Sequence, residues 1–230
     1  MSNIDTHKNK LLNVQKRIHN ACANVSRDKN SIQLIGASKT KSADLIRTFV
    51  SLGQTHFGEN YLSEAIEKQA NLTDLDITWH YIGQIQSNKT KLIASHFDWV
   101  HGVDRFKIAK RLNDQLDKDR PINILIQINL DNEPSKSGVK LNEALDLARQ
   151  IQPLNQVRLR GLMALPKPQD NFQKQISCFI QLKNELDRIN HTLNLELDTI
   201  SAGMSNDLEA AIAAGSTMVR IGTDLFGTRT

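Results

Sequence analysis

The chain has 230 residues, 39% of them hydrophobic and 23% charged, the balance of a soluble globular protein with a large core in one domain, or at most two. The net charge of +4 comes from 29 Lys and Arg interleaved with 25 Asp and Glu, with no dense basic run, which speaks against a nucleic-acid partner. Two cysteines far apart, Cys22 and Cys178, argue against a disulfide framework or a zinc site, and a polar N-terminus with no long apolar run argues against secretion and membrane insertion, so a cytoplasmic protein is expected.

The first thirty residues read as a helix, with Leu11, Leu12, Val14, Ile18 and Ala21 at helical spacing. Short apolar runs then alternate with amphipathic stretches. The runs are 32–37, 55–58, 78–83, 98–102, 122–129, 157–164, 197–201 and 217–221. The helical stretches between them are 42–52, 60–70, 87–96, 105–116, 141–151, 170–190 and 206–214. Ser42, Ser87 and Asp104 are helix-start signals. Such alternation predicts a parallel sheet with helices outside, and eight units in about 200 residues match a (β/α)8 TIM barrel. An open doubly wound sheet would place a glycine-rich turn after the first strand; here Ser38, Lys39 and Thr40 follow it. One domain over 1–230 is expected, an α/β barrel with an extra N-terminal helix. The stretch 163–169, with two prolines, reads as a loop, as does Pro134 to Gly138. Both follow strands, on the face where barrels carry their sites.

Lys39 directly follows the run LIGAS, at the C-terminal end of the first strand. A lysine among apolar neighbours has a lowered pKa and an amine free to attack an aldehyde; the plainer alternative is a surface lysine reaching water. Lys41 reads as exposed, at a helix start. Near the other end, Arg220-Ile221-Gly222-Thr223 closes the last strand, with a glycine that lets a ligand come close and a hydroxyl beside it. The neighbouring unit supplies Ser201 to Asp207, small and hydroxyl-bearing, ahead of a helix. Loops after the seventh and eighth strands of a barrel commonly hold phosphate, so Ser205 is a candidate phosphate ligand. Arg220 needs a partner in the barrel mouth, either a pyridine nitrogen or a carboxylate such as Asp198. His56, His80 and His101 lie on strands without metal-ligand spacing and read as satisfied core or mouth residues. Cys22 and Cys178 read as packing residues on helices.

The segments ASKTK (37–41), HFGEN (56–60), WHYIGQIQSNK (79–89), QINLDNEPSKSG (127–138), RGLMALP (160–166), ISAGMSNDLEAAI (200–212) and TMVRIGTDLFG (217–227) together resemble the pyridoxal-phosphate homeostasis proteins, the YggS-like family with a barrel of the alanine-racemase N-terminal type. The resemblance runs nearly end to end. It implies that pyridoxal 5′-phosphate (PLP) is held as an internal aldimine on Lys39. It implies that Ser205, Gly222 and Thr223 hold the phosphate, that Met204 is a further cofactor-binding residue and that Arg220 faces the pyridine nitrogen. Asn60 and the segment around Asn88 look like mouth residues near the ring, and Lys136 a candidate second lysine that relays the cofactor. The implied role is non-enzymatic: buffering PLP in vitamin B6 homeostasis and passing it transiently to apo-enzymes. The competing reading is a PLP-dependent amino-acid racemase. A racemase wants a second base opposite Lys39. In the similar racemases that base is a tyrosine from a further domain of a partner chain. With the chain ending at Thr230, that domain is expected to be absent, and a monomer is expected. The available tyrosines are Tyr61 and Tyr81.

Overall fold

A computed structural model describes residues 3–116, 120–131, 133 and 136–227. Among these residues, β1 (Gln33–Ala37), β2 (His56–Glu59), β3 (Thr78–Tyr81), β4 (Trp99–Val103), β5 (Ile122–Ile128), β6 (Val157–Ala164), β7 (Thr199–Ser201) and β8 (Met218–Ile221) form a closed parallel barrel in sequence order. Pairing of β1 with β8 closes it, with Ile35 opposite Arg220 and Gly36 opposite Ile221. Around it lie α2 (Ala43–Ser51), α3 (Leu62–Ala70), α4 (Thr90–His96), α5 (Phe106–Gln115), α6 (Ala144–Ile151), α7 (Phe172–Leu193) and α8 (Leu208–Ala213). The expected (β/α)8 barrel is therefore the fold. Pro134 and Ser135 of the expected loop lie outside the described residues.

Several boundaries differ from those read in the sequence. The N-terminal helix α1 spans Asn3–Ala23, and Ser26 then turns in a left-handed conformation (φ 53°). Leu11, Val14, Ile18, Ala21 and Cys22 form its buried face, whereas Leu12 is exposed because it falls about 100° round the helix from Leu11. Ser42 caps α2 by accepting from the Leu45 amide. Ser87 instead opens a 3-10 turn before α4, and Asp104 pairs with Arg105 rather than capping α5. Strand β6 continues through Met163 and Ala164 before the prolines begin. A short helix, α9 (Thr223–Phe226), follows β8.

Two apolar clusters divide the interior. The larger one packs helices on the outside of the barrel; a small one of Ile35, Trp99, Leu125, Met163 and Met218 fills part of the lumen. The remaining lumen is polar. Strand β7 is short, and its seam with β8 is completed by side chains. The Ser216 hydroxyl, fully inside, sits 3.0 Å from Ile200 O and 2.7 Å from Ala202 O, while Thr217 Oγ1 accepts from the Ile200 amide. These groups satisfy backbone atoms that a longer ladder would have paired.

The β5–β6 register slips between Ile124 and Leu125, where Leu159 and Gly161 are successive partners and Arg160 is bulged out. Gly161 has φ +156°, and a Cβ there would lie 1.8 Å from the Thr199 carbonyl oxygen. Gly161→Ala should therefore destabilise the barrel by about 3 kcal/mol or more. Urea unfolding measures this, and a shift below about 1 kcal/mol would contradict the packing described.

Candidate functional site

Lys39 begins the loop after β1. The preceding residue, Ser38, is buried, and its amide donates to Gly58 O at 3.0 Å. The Lys41 amide donates to Ser38 O, closing a turn in which Thr40 has φ 64°. A β-branched residue in that region costs of order 1–3 kcal/mol and persists only where its surroundings hold it. Here they do. Lys68 of α3 donates to Ser38 O at 2.9 Å and pairs with Glu59 at 2.8 Å and with Glu64 at 2.5 Å. The Ser38 hydroxyl donates to Glu59 Oε1 at 2.6 Å, and the Thr40 amide donates to Glu64 Oε1. Glu59 is wholly buried, and burial pushes its carboxyl above the usual range despite the pair with Lys68. The turn that aims Lys39 thus stands on a buried ion pair.

Opposite, the segment after β7 is shaped by Gly203, whose φ of +101° and close approach to Ala211 exclude a side chain. Asp207 accepts from the Met204 amide at 2.6 Å, and burial raises its pKa. Ser205 Oγ lies 3.4 Å from the Asp224 amide, so the segments after β7 and β8 touch. Arg17, on α1, holds them from outside. Its guanidinium donates to Ser205 O at 2.8 Å, to both Glu209 oxygens and to Asp224 Oδ2. The hydrogen bond to Glu209 leads the interactions that raise the Arg17 pKa.

Between these halves lies a cavity of about 500 Å³. Lys39, Met204, Ser205, Arg220, Gly222 and Thr223 all line it, together with Lys41, Asn206, Asp207 and prolines 166 and 168. Lys41, expected to be exposed, is half-buried in its wall. Gly222 has an ordinary backbone conformation (φ −108°), and a Cβ there would meet its own chain only at van der Waals distance, 3.5 Å from Ala37 O. Nothing in the chain's own packing excludes a side chain at this position. What the glycine leaves open is the cavity.

Arg220 is buried, and burial pulls its pKa down to about 10, against the opposing charge of Asp207. Asp198, the carboxylate weighed as its partner, pairs instead with Arg160. Arg220 donates to Ser201 Oγ and, at 2.9 Å, to Ala164 O. A guanidinium has five N–H donors, so the cavity side keeps unspent ones.

Asn60 and Lys136 lie elsewhere. They share a neighbouring cavity of about 250 Å³ with Gln127 and Asn129. Asn60 Oδ1 is buried without a hydrogen-bond partner. Lys136 is bound to Asp131 at 2.6 Å and Glu133 at 3.0 Å. Burial lowers its pKa, but these two partners outweigh burial and hold the ammonium above its usual range, which opposes imine formation there. The segment around Asn88 forms a 3-10 turn whose Lys89 lines a third cavity with Asn60, Tyr61 and Tyr81. Among the described residues no group of three or more His, Cys, Asp or Glu is placed to hold a metal ion. Sequence reasoning missed Arg17, Glu59 and Lys68. No local motif announces them, because each acts on a segment distant in the chain.

Residues 16–230 match the family model of the alanine racemase, N-terminal domain. The chain is 46% identical over 223 residues to an Escherichia coli protein named pyridoxal phosphate homeostasis protein, covering 95% of each. It is 48% identical over 220 residues to the Pseudomonas aeruginosa protein of the same name, covering 95% of this chain and 94% of the other. Among solved structures it is similar to PipY of Synechococcus elongatus with PLP bound, at 37% identity and a TM-score of 0.81, covering 91% of this chain and 100% of that one. An alanine racemase of Clostridium difficile shares 14% identity at a TM-score of 0.69, covering 94% of this chain and 56% of that one, a likeness of fold alone.

Removing one member of a buried ion pair strands the other. Lys68→Met should cost about 3–5 kcal/mol in urea unfolding, and adding Glu59→Met should restore most of it. Failure of the double variant to recover would mean that the pair does more than balance charge.

Proposed function

We propose, since this chain belongs to the alanine racemase N-terminal domain family and matches pyridoxal phosphate homeostasis proteins along nearly its whole length, that it binds PLP and serves PLP homeostasis by holding the cofactor and releasing it to apo-enzymes. The observation that carries this reading is the convergence of Lys39, Ser205, Gly222, Thr223 and Arg220 on one cavity. When bound, the cofactor supplies an aldehyde and an electron-withdrawing ring, and Lys39 carries the amine with which that aldehyde condenses, losing water.

The other residues bind and orient. The Ser205 and Thr223 hydroxyls and the open backbone at Gly222 suit a phosphate dianion. Met204 forms part of the same wall. Arg220, always a donor, offers its spare N–H groups to the ring nitrogen and keeps a proton off that atom, which weakens the ring as an electron sink. Arg17 fixes both phosphate-side segments through Ser205 O and Asp224. Asn60 and Lys136, in the adjoining cavity, are assigned to the approach to the site.

The site also supports a carrier over a racemase. A racemase sets a second base across from its lysine. No tyrosine, histidine or cysteine lines the Lys39 cavity among the described residues. Tyr61 and Tyr81 line a separate cavity, and the Tyr81 hydroxyl is engaged with Gln84 O. Cytoplasmic action agrees with two unpaired cysteines and with the absence, among the described residues, of a helix long and apolar enough to cross a membrane.

PLP added to the purified protein should give a visible absorbance band that Lys39→Ala abolishes; a band that persists in the variant puts the covalent link elsewhere. Ser205→Ala, Thr223→Val and Arg17→Gln should each weaken retention about tenfold, read by dialysis against buffer, because the loss of one good polar contact is of that order. Incubation with L-alanine should yield no D-enantiomer. Turnover of about 1 per second or more would establish an enzyme instead.

A further inference from the structure

Three histidines that the cavity does not use run in single file through the polar part of the lumen. His56 Nδ1 lies 3.0 Å from His80 Nε2, and His80 Nδ1 lies 3.0 Å from His101 Nε2. His101 Nδ1 is 2.9 Å from Ser201 Oγ, which accepts from Arg220. One hydrogen-bond chain therefore starts at the first residue of β2, crosses β3, β4 and β7, and ends on the guanidinium of β8. His80 and His101 are fully buried and His56 partly so. Trp99 stacks on His80 with ring centroids 5.7 Å apart, fixing the plane of the central imidazole.

The protons in such a chain are constrained. A neutral imidazole has one N–H and one lone pair, so each junction needs a donor facing an acceptor. Only two arrangements satisfy every ring–ring junction, with all N–H groups pointing toward Arg220 or all away from it. Arg220 donates to Ser201 in either case. With the N–H groups pointing toward Arg220, Ser201 accepts from both neighbours and its own proton has no place in the chain. With them pointing away, Ser201 donates to His101 Nδ1, His101 donates through Nε2 to His80, and His80 donates through Nε2 to His56. This second arrangement gives the buried Ser201 proton an acceptor and leaves outside the chain only the Nε2–H of His56, its partly exposed end, and mutual polarisation along such a chain strengthens each bond. The rings stay neutral. Burial pushes His80 and His101 well below the usual imidazole range, with Arg220 acting on His101 in the same direction and the neighbouring histidines on His80. Burial also lowers His56, which the charge of Asp98 partly opposes.

We propose that His101 is a positioning residue for Arg220, with His80 and His56 fixing its tautomer, so that the pose of the guanidinium toward a bound pyridine nitrogen is set by a chain reaching through the barrel from its opposite end. The proposal rests on the PLP reading for its ligand, but the chain itself exists without ligand. Arg220 has one side-chain partner in it, Ser201, and one backbone partner, Ala164 O. Without an acceptor at His101, the chain no longer holds Ser201 Oγ in one rotamer, and the side-chain contact of Arg220 is no longer fixed. Lumen filling alone would require only that something of imidazole size occupy position 101.

The first measurement uses cofactor-free protein labelled with nitrogen-15 at histidine. His80 and His101 should appear as neutral Nε2–H tautomers, exchange slowly with water and show no titration between about pH 5 and 8. Nδ1–H tautomers, or exchange as fast as that of a surface histidine such as His19, would overturn the chain as assigned. The second uses PLP labelled at its ring nitrogen. His101→Phe and Ser201→Ala should each shift the ring-nitrogen resonance and release the cofactor about tenfold faster. His101→Asn, whose side-chain oxygen can stand where Nδ1 stood, should restore both. Circular dichroism establishes that each variant is folded, and an unchanged ring-nitrogen signal in folded Ser201→Ala would sink the positioning role even if the position-101 variants fail to fold. A wild-type protein that takes up no PLP would overturn the functional reading and the ligand-directed part of the proposal, while the histidine spectra still decide the chain.

Discussion

The ladder between β8 and β1 is the contact on which the site depends. It sets Ile35 beside Arg220 and Gly36 beside Ile221, so the residues that leave the two strands emerge side by side. Lys39 follows one strand and Gly222 and Thr223 follow the other. A parallel barrel delivers both at the same end, because every strand points the same way. If this seam opened, the amine and the hydroxyl segments would stand at opposite edges of a sheet. Helix α1 reinforces the seam from outside: Arg17 ties the loop after β7 to α9 behind β8, across 188 and 207 positions of sequence.

The two sides of the barrel wall follow different chemistry. Outside, aliphatic and aromatic residues pack against the helices, as the composition leads one to expect. Inside, much of the lumen holds His56, His80, His101, Ser201 and Arg220, and the apolar plug is small. A buried arginine is tolerated because Ser201 and the Ala164 carbonyl accept from it, its remaining donors face the cavity, and the neighbouring imidazoles are neutral. The same economy supports Lys39. Its turn contains a residue in the left-handed region and is braced by Lys68, Glu59 and Glu64. The Lys39 turn is thus held by polar groups outside the cavity lining, whereas Arg220 and Asp207 on the other side line it.

This division suits a site that binds and lets go. The groups that orient the cavity are rigid and buried, while the cavity itself opens among loops. Of the acids that line it, Asp207 accepts from the Met204 amide and Asp224 pairs with Arg17.

The sequence by itself determined the order of strands and helices, the position of Lys39 at the end of β1 and the hydroxyl-bearing segments after β7 and β8. These features are local: hydrophobic period, β-branched runs, prolines and glycines act within a few residues. Boundaries shifted where local signals were ambiguous, as at Asp104, which pairs with its neighbour instead of capping α5. Tertiary structure alone decided the partners. Asp198 and Arg220 look suited to each other in sequence, yet Arg160 takes the carboxylate and Arg220 turns to Ser201. Asn60, read as a mouth residue near the ring, lines a cavity that it shares with Lys136. Arg17 reads as one more cation on an amphipathic helix until the barrel closes beneath it. Polar partners in a barrel are chosen by which strand ends become adjacent and which side chains turn inward, and that adjacency exists only once all eight strands have closed.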